Sequence, residues 1–262
     1  MGRPRYPQHD VPPPPPLPPE TRTVGQVVGE SVKFYRDNFI PSLSLGLGAA
    51  LTGIGVAALH GWLQFVYLIG VGGLLMTASF IAATVLVRDL DVDRRRVLVA
   101  LVAGVLVYLP APILIQIWLL PGVAWLALVG LAVPAILVEG IGVGAGVRRA
   151  VRLARADFVH VLGSLATLVI LSFLFSWVLY FLLRSQGEAV RNVAAFFSLL
   201  VISPLLFIGS AILYGDQCAR LASGFTRAQR ISARREHLRT APRAVVATRL
   251  GRAPRGRRPK AE

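Results

Sequence analysis

Residues 40–87 read IPSLSLGLGAALTGIGVAALHGWLQFVYLIGVGGLLMTASFIAATVLV, with no Asp, Glu, Lys or Arg anywhere in the run. About 20 apolar residues cross a hydrocarbon core as a helix, so this stretch holds two passes, divided at His60-Gly61. A second run, residues 97–147, carries one charge, Glu139, and Pro121-Gly122 divides it in the same way. Two further apolar stretches follow. The predicted spans are 40–60, 62–87, 97–120, 122–142, 158–183 and 193–215. The fold class expected is all-α, a polytopic membrane helix bundle of six transmembrane helices. Composition points the same way: 55% of residues are hydrophobic and 16% charged, against roughly a quarter charged in soluble domains. Pro110, Pro112, Pro134 and Pro204 fall inside spans, where neighbouring helices must satisfy the freed carbonyls.

Outward from the spans lie two amphipathic segments. Thr23-Val-Gly-Gln26 reads as a capping box opening a helix. Val24, Val27, Val28, Val32, Tyr35 and Phe39 then recur at helical spacing, with Gln26, Glu30, Lys33 and Arg36 on the other side. Between the fourth and fifth spans, Val147, Ala150, Val151, Ala154 and Phe158 make a second stripe beside Arg148, Arg149, Arg152 and Arg155. Both are expected to lie on the membrane surface. The two regions also match at an offset of 119: Val24, Gly25, Val28, Val32, Arg36, Phe39 and Leu43 recur as Val143, Gly144, Val147, Val151, Arg155, Phe158 and Leu162. An internal repeat with both copies in the same orientation is the expectation.

Three segments result: a proline-rich arm at 1–22, expected to be extended and disordered, the membrane domain at 23–220, and a basic, largely disordered tail at 221–262. The first part of that tail, through Leu221, Phe225, Ala228 and Ile231, reads as an interfacial helix. Arginine placement sets the orientation. Of 28 Lys and Arg, only Arg184 and Arg191 fall on the far side of the six spans. The positive-inside rule therefore puts both termini in the cytoplasm. Arginine outnumbers lysine 26 to 2, as in GC-rich bacterial genomes, and the expected location is the bacterial plasma membrane. No cleavable signal sequence is expected at the proline-rich N-terminus.

Few residues bear on chemistry. Glu139 is the one acid within a predicted span; a lone carboxylate there must be paired, protonated or near water, so it is a candidate structural or ion-relay group. Gly140, Gly142, Gly144 and Gly146 follow it as a candidate hinge or tight helix contact. Arg148, Arg149, Arg152 and Arg155 are candidate contacts for anionic lipid. Asp89, Asp91 and Asp93 alternate as calcium ligands do, but Arg94 and Ala100 occupy positions where the loop needs Gly and Glu. Asp216-Gln-Cys218-Ala-Arg220 lacks the glycine and spacing of the Asp-Gly-x-x-Ala-Arg opening of membrane phospholipid synthases. His9, His60, His160 and His237 form no metal motif. No catalytic residue, metal site or cofactor is expected.

Three stretches carry a family resemblance: Thr23 through Phe39; Pro134-Ala-Ile-Leu-Val-Glu139-Gly running into Arg148-Arg-Ala-Val-Arg-Leu153; and Ser203-Pro204 through Leu213-Tyr214-Gly-Asp216. In these the chain resembles the bacterial, especially actinobacterial, six-pass proteins known as glycerophosphoryl diester phosphodiesterase membrane-domain proteins. It departs from them at Ala150, where they usually have Ser, near Leu153, where they have Trp, and after Tyr214, where they read Tyr-Asp-Leu-Arg. The resemblance implies fold and location. It does not imply phosphodiester hydrolysis, because the residues after 220 are too polar for a catalytic barrel.

The function expected is that of a non-catalytic membrane protein, a scaffold or accessory in a lipid or envelope process. The competing expectation is a small transporter or channel using Glu139. Membrane lipids, especially anionic ones, are the expected partners, with proteins docking on the proline-rich arm or basic tail. Nucleic acid is not expected, since no aromatic residues interleave with the tail's arginines.

Overall fold

The computed structural model describes residues 18–224 and 227–240. Residues 1–17, 225–226 and 241–262, and the expectations placed on them, Phe225 included, lie outside the described residues. After a short 3-10 turn (Pro19–Thr21) come α1 (Val24–Asp37), α2 (Phe39–Ala58), α3 (Gly61–Arg88), α4 (Arg94–Ile117) and α5 (Leu119–Glu139). Then follow α6 (Val143–Ala156), α7 (Phe158–Leu182), α8 (Glu188–Ser223) and α9 (Arg227–Thr240). Among the described residues there is no strand, and α2, α3, α4, α5, α7 and α8 are each long and apolar enough to cross a membrane. The chain is a multi-pass, all-α membrane protein.

Local signals set the helix ends. Thr23 Oγ1 accepts from the Gln26 N–H at 3.2 Å while Gln26 Oε1 accepts from the Thr23 N–H at 2.8 Å, the reciprocal capping box that opens α1. Asp157 Oδ1 accepts from the His160 N–H at 3.3 Å and caps α7. Asp89, at φ 48°, and Gly140, at φ 67°, end α3 and α5 in the left-handed conformation. The layout of α1 and α2 recurs in α6 and α7. Each pair has a 14-residue helix, one non-helical residue (Asn38 or Asp157), then a span opening on Phe.

The interior is built on α5 and α8. In its most apolar window, 61% of α5 lies inside the protein against 11% of α7, so α7 is a peripheral, lipid-facing helix. Its Phe173, Trp177 and Phe181 project outward, a surface that would be untenable in water. One core cluster joins Leu131, Ala132 and Ala135 of α5 to Leu153 of α6 and Tyr214 of α8. A second joins Val133, Ile136 and Leu137 of α5 to Ile81 of α3 and Ala103 of α4. Helix α8 packs against α1, α2, α3, α6 and α7. Its backbone comes so close to α2 that a Cβ on Gly46 would collide with the Leu200 carbonyl. Across α2 and α3, a Cβ on Gly48 would lie 2.6 Å from the Leu75 carbonyl oxygen. Small residues let membrane helices approach this far, since hydrophobicity alone does not drive them together within lipid.

Three details differ from the sequence reading. Helix α8 is much longer than 193–215, running on through Asp216, Gln217 and Arg220, whose side chains are buried by other parts of the protein. Hydropathy ends where polar residues begin; the helix does not. Helix α6 turns its buried face to α5, α8 and α4, and that face is Gly146, Ala150, Leu153 and Ala154, while Phe158 belongs to α7. The glycine run, read as one hinge or tight helix contact, is divided: Gly140–Gly142 form the α5–α6 break, and only Gly144 and Gly146 lie within α6.

Candidate functional site

Alternating directions bring the ends of α3, α5 and α8, the starts of α2, α4 and α7, and both α1 and α6 to one end of the bundle, the arginine-rich end. There, seven residues of α8 carry four buried polar side chains: Tyr214, Asp216, Gln217 and Arg220. Asp216 and Arg220 are four apart and so share a helix face. Arg22 Nη1 donates to Asp216 Oδ1 at 2.8 Å, and Arg220 Nη2 donates to the Arg22 carbonyl at 2.5 Å. Asp157 Oδ2 pairs with Arg220 at 2.5 Å and with Arg230 of α9 at 3.2 Å. One network therefore ties the segment before α1, the α6–α7 junction, α8 and α9. Gln217 is wholly buried, and among the described residues neither its amide atoms nor the buried Asp216 Oδ2 has a hydrogen-bond partner.

A second cluster surrounds Glu139. Arg149 Nε donates to Glu139 Oε1 at 2.7 Å, and the Tyr214 hydroxyl donates to the same oxygen at 2.9 Å. By accepting this hydrogen bond, Glu139 raises the Arg149 guanidinium above its usual pKa. Arg88 lies across the other side of Tyr214, its Cζ 5.6 Å from the ring centroid, within cation–π range. It also fills the space a side chain on Gly215 would need. Both Glu139 and Arg149 keep about a quarter of their side-chain surface exposed, 28% and 26%. Glu139 is the last residue of α5, at the arginine-rich end of that span.

The other residues singled out by sequence fall in different places. Gly140 adopts its positive φ with the Arg96 guanidinium 3.4 Å from where a Cβ would be. Gly142 precedes α6 in an extended conformation, and Gly144 has open space around it. Gly146 is in tight contact, with Ile136 Cγ1 2.5 Å from a would-be Cβ. Of the four arginines, Arg149 turns inward to Glu139 whereas Arg148, Arg152 and Arg155 face outward. The sequence reading weighed Asp216, Gln217 and Arg220 only as a phospholipid-synthase motif and set it aside, and it gave no role to Arg22 or Asp157. Their signal was available: Asp, Gln and Arg continuing an apolar helix in phase, with nothing to end it.

Two cavities border this end or lie below it. One, of about 120 Å³, sits within the bundle among Met76, Phe80, Val107, Leu126, Leu165 and Phe207, and is almost wholly apolar. The other, of about 400 Å³, opens between α1, the end of α3 and α8, and Arg22, Glu30, Lys33, Asp37, Arg88 and Asp216 line it. Among the described residues no group of three or more His, Cys, Asp and Glu is arranged to hold a metal ion. Such a site can bind charge. Comparison with known proteins finds no match to a family model, to a curated protein or to a solved structure.

Proposed function

We propose that this chain is a non-catalytic protein of the bacterial plasma membrane that acts as a scaffold or accessory in a lipid or envelope process, with its arginine-rich end in the cytoplasm. Kinship with the six-pass membrane-domain proteins is part of this reading. The observation that carries it is the distribution of polar groups. The described ion pairs gather at the arginine-rich end, whereas the cavity in the middle of the bundle is walled mostly by apolar side chains such as Met76, Phe80, Val107, Leu126 and Phe207, and its few polar groups, on Thr77, Tyr108 and Ser210, carry no charge. A permeation path needs polar groups or water at mid-depth to replace hydration. Glu139 is engaged by Arg149 and Tyr214 at one rim, where it serves to hold α5, α6 and α8 together.

The test is reconstitution into liposomes. Proton and potassium fluxes should match protein-free vesicles and be unchanged by Glu139→Gln. Native mass spectrometry after gentle extraction should retain lipid or a protein partner. A flux that Glu139→Gln abolishes would replace this reading with a transporter.

A further inference from the structure

We propose that the cavity between α1, the end of α3 and α8 binds a zwitterion bearing a primary ammonium and a phosphate, the chemistry of an ethanolamine phospholipid headgroup. Its charged lining is balanced: Arg22, Lys33 and Arg88 against Glu30, Asp37 and Asp216. Asp37 accepts from its neighbour Arg36 at 3.1 Å, and Arg22 is taken by Asp216 Oδ1. The second oxygen of Asp216, a residue only 1% exposed, has no hydrogen-bond partner among the described residues, and neither has the buried Nε of Arg88. Buried polar atoms in folded proteins are almost always satisfied, so two opposite orphans beside one cavity mark a site for something with both signs.

An anion alone would answer Arg88 and Lys33 but leave Asp216 Oδ2 unmet and repelled. A metal or simple ammonium ion would leave the opposite deficit. Within the lining, the ammonium goes to Asp216 Oδ2 and Glu30, the phosphate to Arg88 and Lys33. Ethanolamine fits better than choline for a specific reason. A carboxylate oxygen without a donor calls for an N–H, which a quaternary ammonium lacks, and the lining holds one aromatic ring, Phe34, rather than a cage of them. A volume of about 400 Å³ is within the usual range for small-ligand sites. Its depth suits a headgroup as well. Arg88 ends α3 at the arginine-rich end, while Ile212, one turn deeper on α8, gives the lining an apolar floor.

The binding of this headgroup goes beyond the accessory role and does not depend on it, since a flux result against that role would leave the lipid selectivity tested below unaffected. The full chain, purified in detergent, is melted with dioleoyl phosphatidylethanolamine, phosphatidylcholine or phosphatidylglycerol, and with free O-phosphoethanolamine. Phosphatidylethanolamine should raise the melting midpoint well above the other two lipids. Native mass spectrometry should retain it at one molecule per chain. Lys33→Met and Glu30→Gln alter groups that are exposed or half-buried and form no ion pair, so the lipid-free midpoint should hold while the ethanolamine shift is lost. If free O-phosphoethanolamine stabilises as well as the lipid, the site's chemistry stands and its ligand comes from the aqueous phase. Equal shifts with all three lipids, a shift with phosphatidylglycerol alone, no shift at all, or an ethanolamine shift that survives both substitutions would each overturn the proposal.

Discussion

Asp216 and Glu139 are both carboxylates near the arginine-rich end of a span, yet their surroundings give them different weight. Asp216 is 1% exposed and balanced by Arg22, whose side chain is 17% exposed. Removing one partner of a buried ion pair strands the other, at a cost of about 3–5 kcal/mol. Glu139 and Arg149 are wetter, so losing their pair costs little; the larger loss is the acceptor for the buried Tyr214 hydroxyl, about 1–3 kcal/mol. Asp216→Leu should therefore lower the thermal stability of the protein in detergent more than Glu139→Leu. Glu139→Gln, which keeps an acceptor oxygen, should do least. Equal losses from the two leucine variants would contradict this account. Glu139 stands out in the sequence because it is alone in an apolar stretch. Asp216 does not, because it follows the last apolar residues and looks like the start of a solvated tail. Its partner is Arg22, which sits 194 positions away in the chain.

At the scale of elements, local signals were legible and long-range ones were not. The capping box at Thr23 and Gln26, the lengths of α2 to α5, and the Phe-opened spans after α1 and α6 all follow from neighbouring residues. The direction in which α6 turns its buried face does not, because α5 and α8 accept it and a helical wheel cannot say which neighbour will. Nor does the central place of α8, which depends on close approach at positions such as Gly46. That approach yields a paired prediction. Gly29 lies mid-helix in α1 with open space around it, so Gly29→Ala should stabilise by about 0.5–1 kcal/mol through helix propensity alone. Gly46→Ala makes the same propensity gain but drives a methyl into the Leu200 carbonyl, and should lower stability by about 1–3 kcal/mol. Thermal melting of the two variants side by side reads both signs. A stabilising Gly46→Ala would mean that α2 and α8 are not in close contact.

For the whole molecule, six spans require that His60, Trp118 and Gly187 share one side of the membrane and Asp91, Arg152 and Arg235 the other. All six are exposed. Single cysteines placed there, in a Cys218→Ser background, should divide cleanly with an impermeant thiol reagent on intact cells. The first three should react, and the second three only after permeabilisation. Reaction at Gly187 from the cytoplasmic side alone would require an odd number of spans. The link from Arg22 to Asp216 and Arg220 also bears on how the protein is made. A chain emerging from the ribosome presents Arg22 and α1 first, while the partners that neutralise and cover them come last. Until α8 arrives, the early helices wait at the membrane with an unmatched cation beside them. Completion of the last span is thus the event that closes the molecule, and a chain stalled before it leaves its first helix open to quality-control proteases.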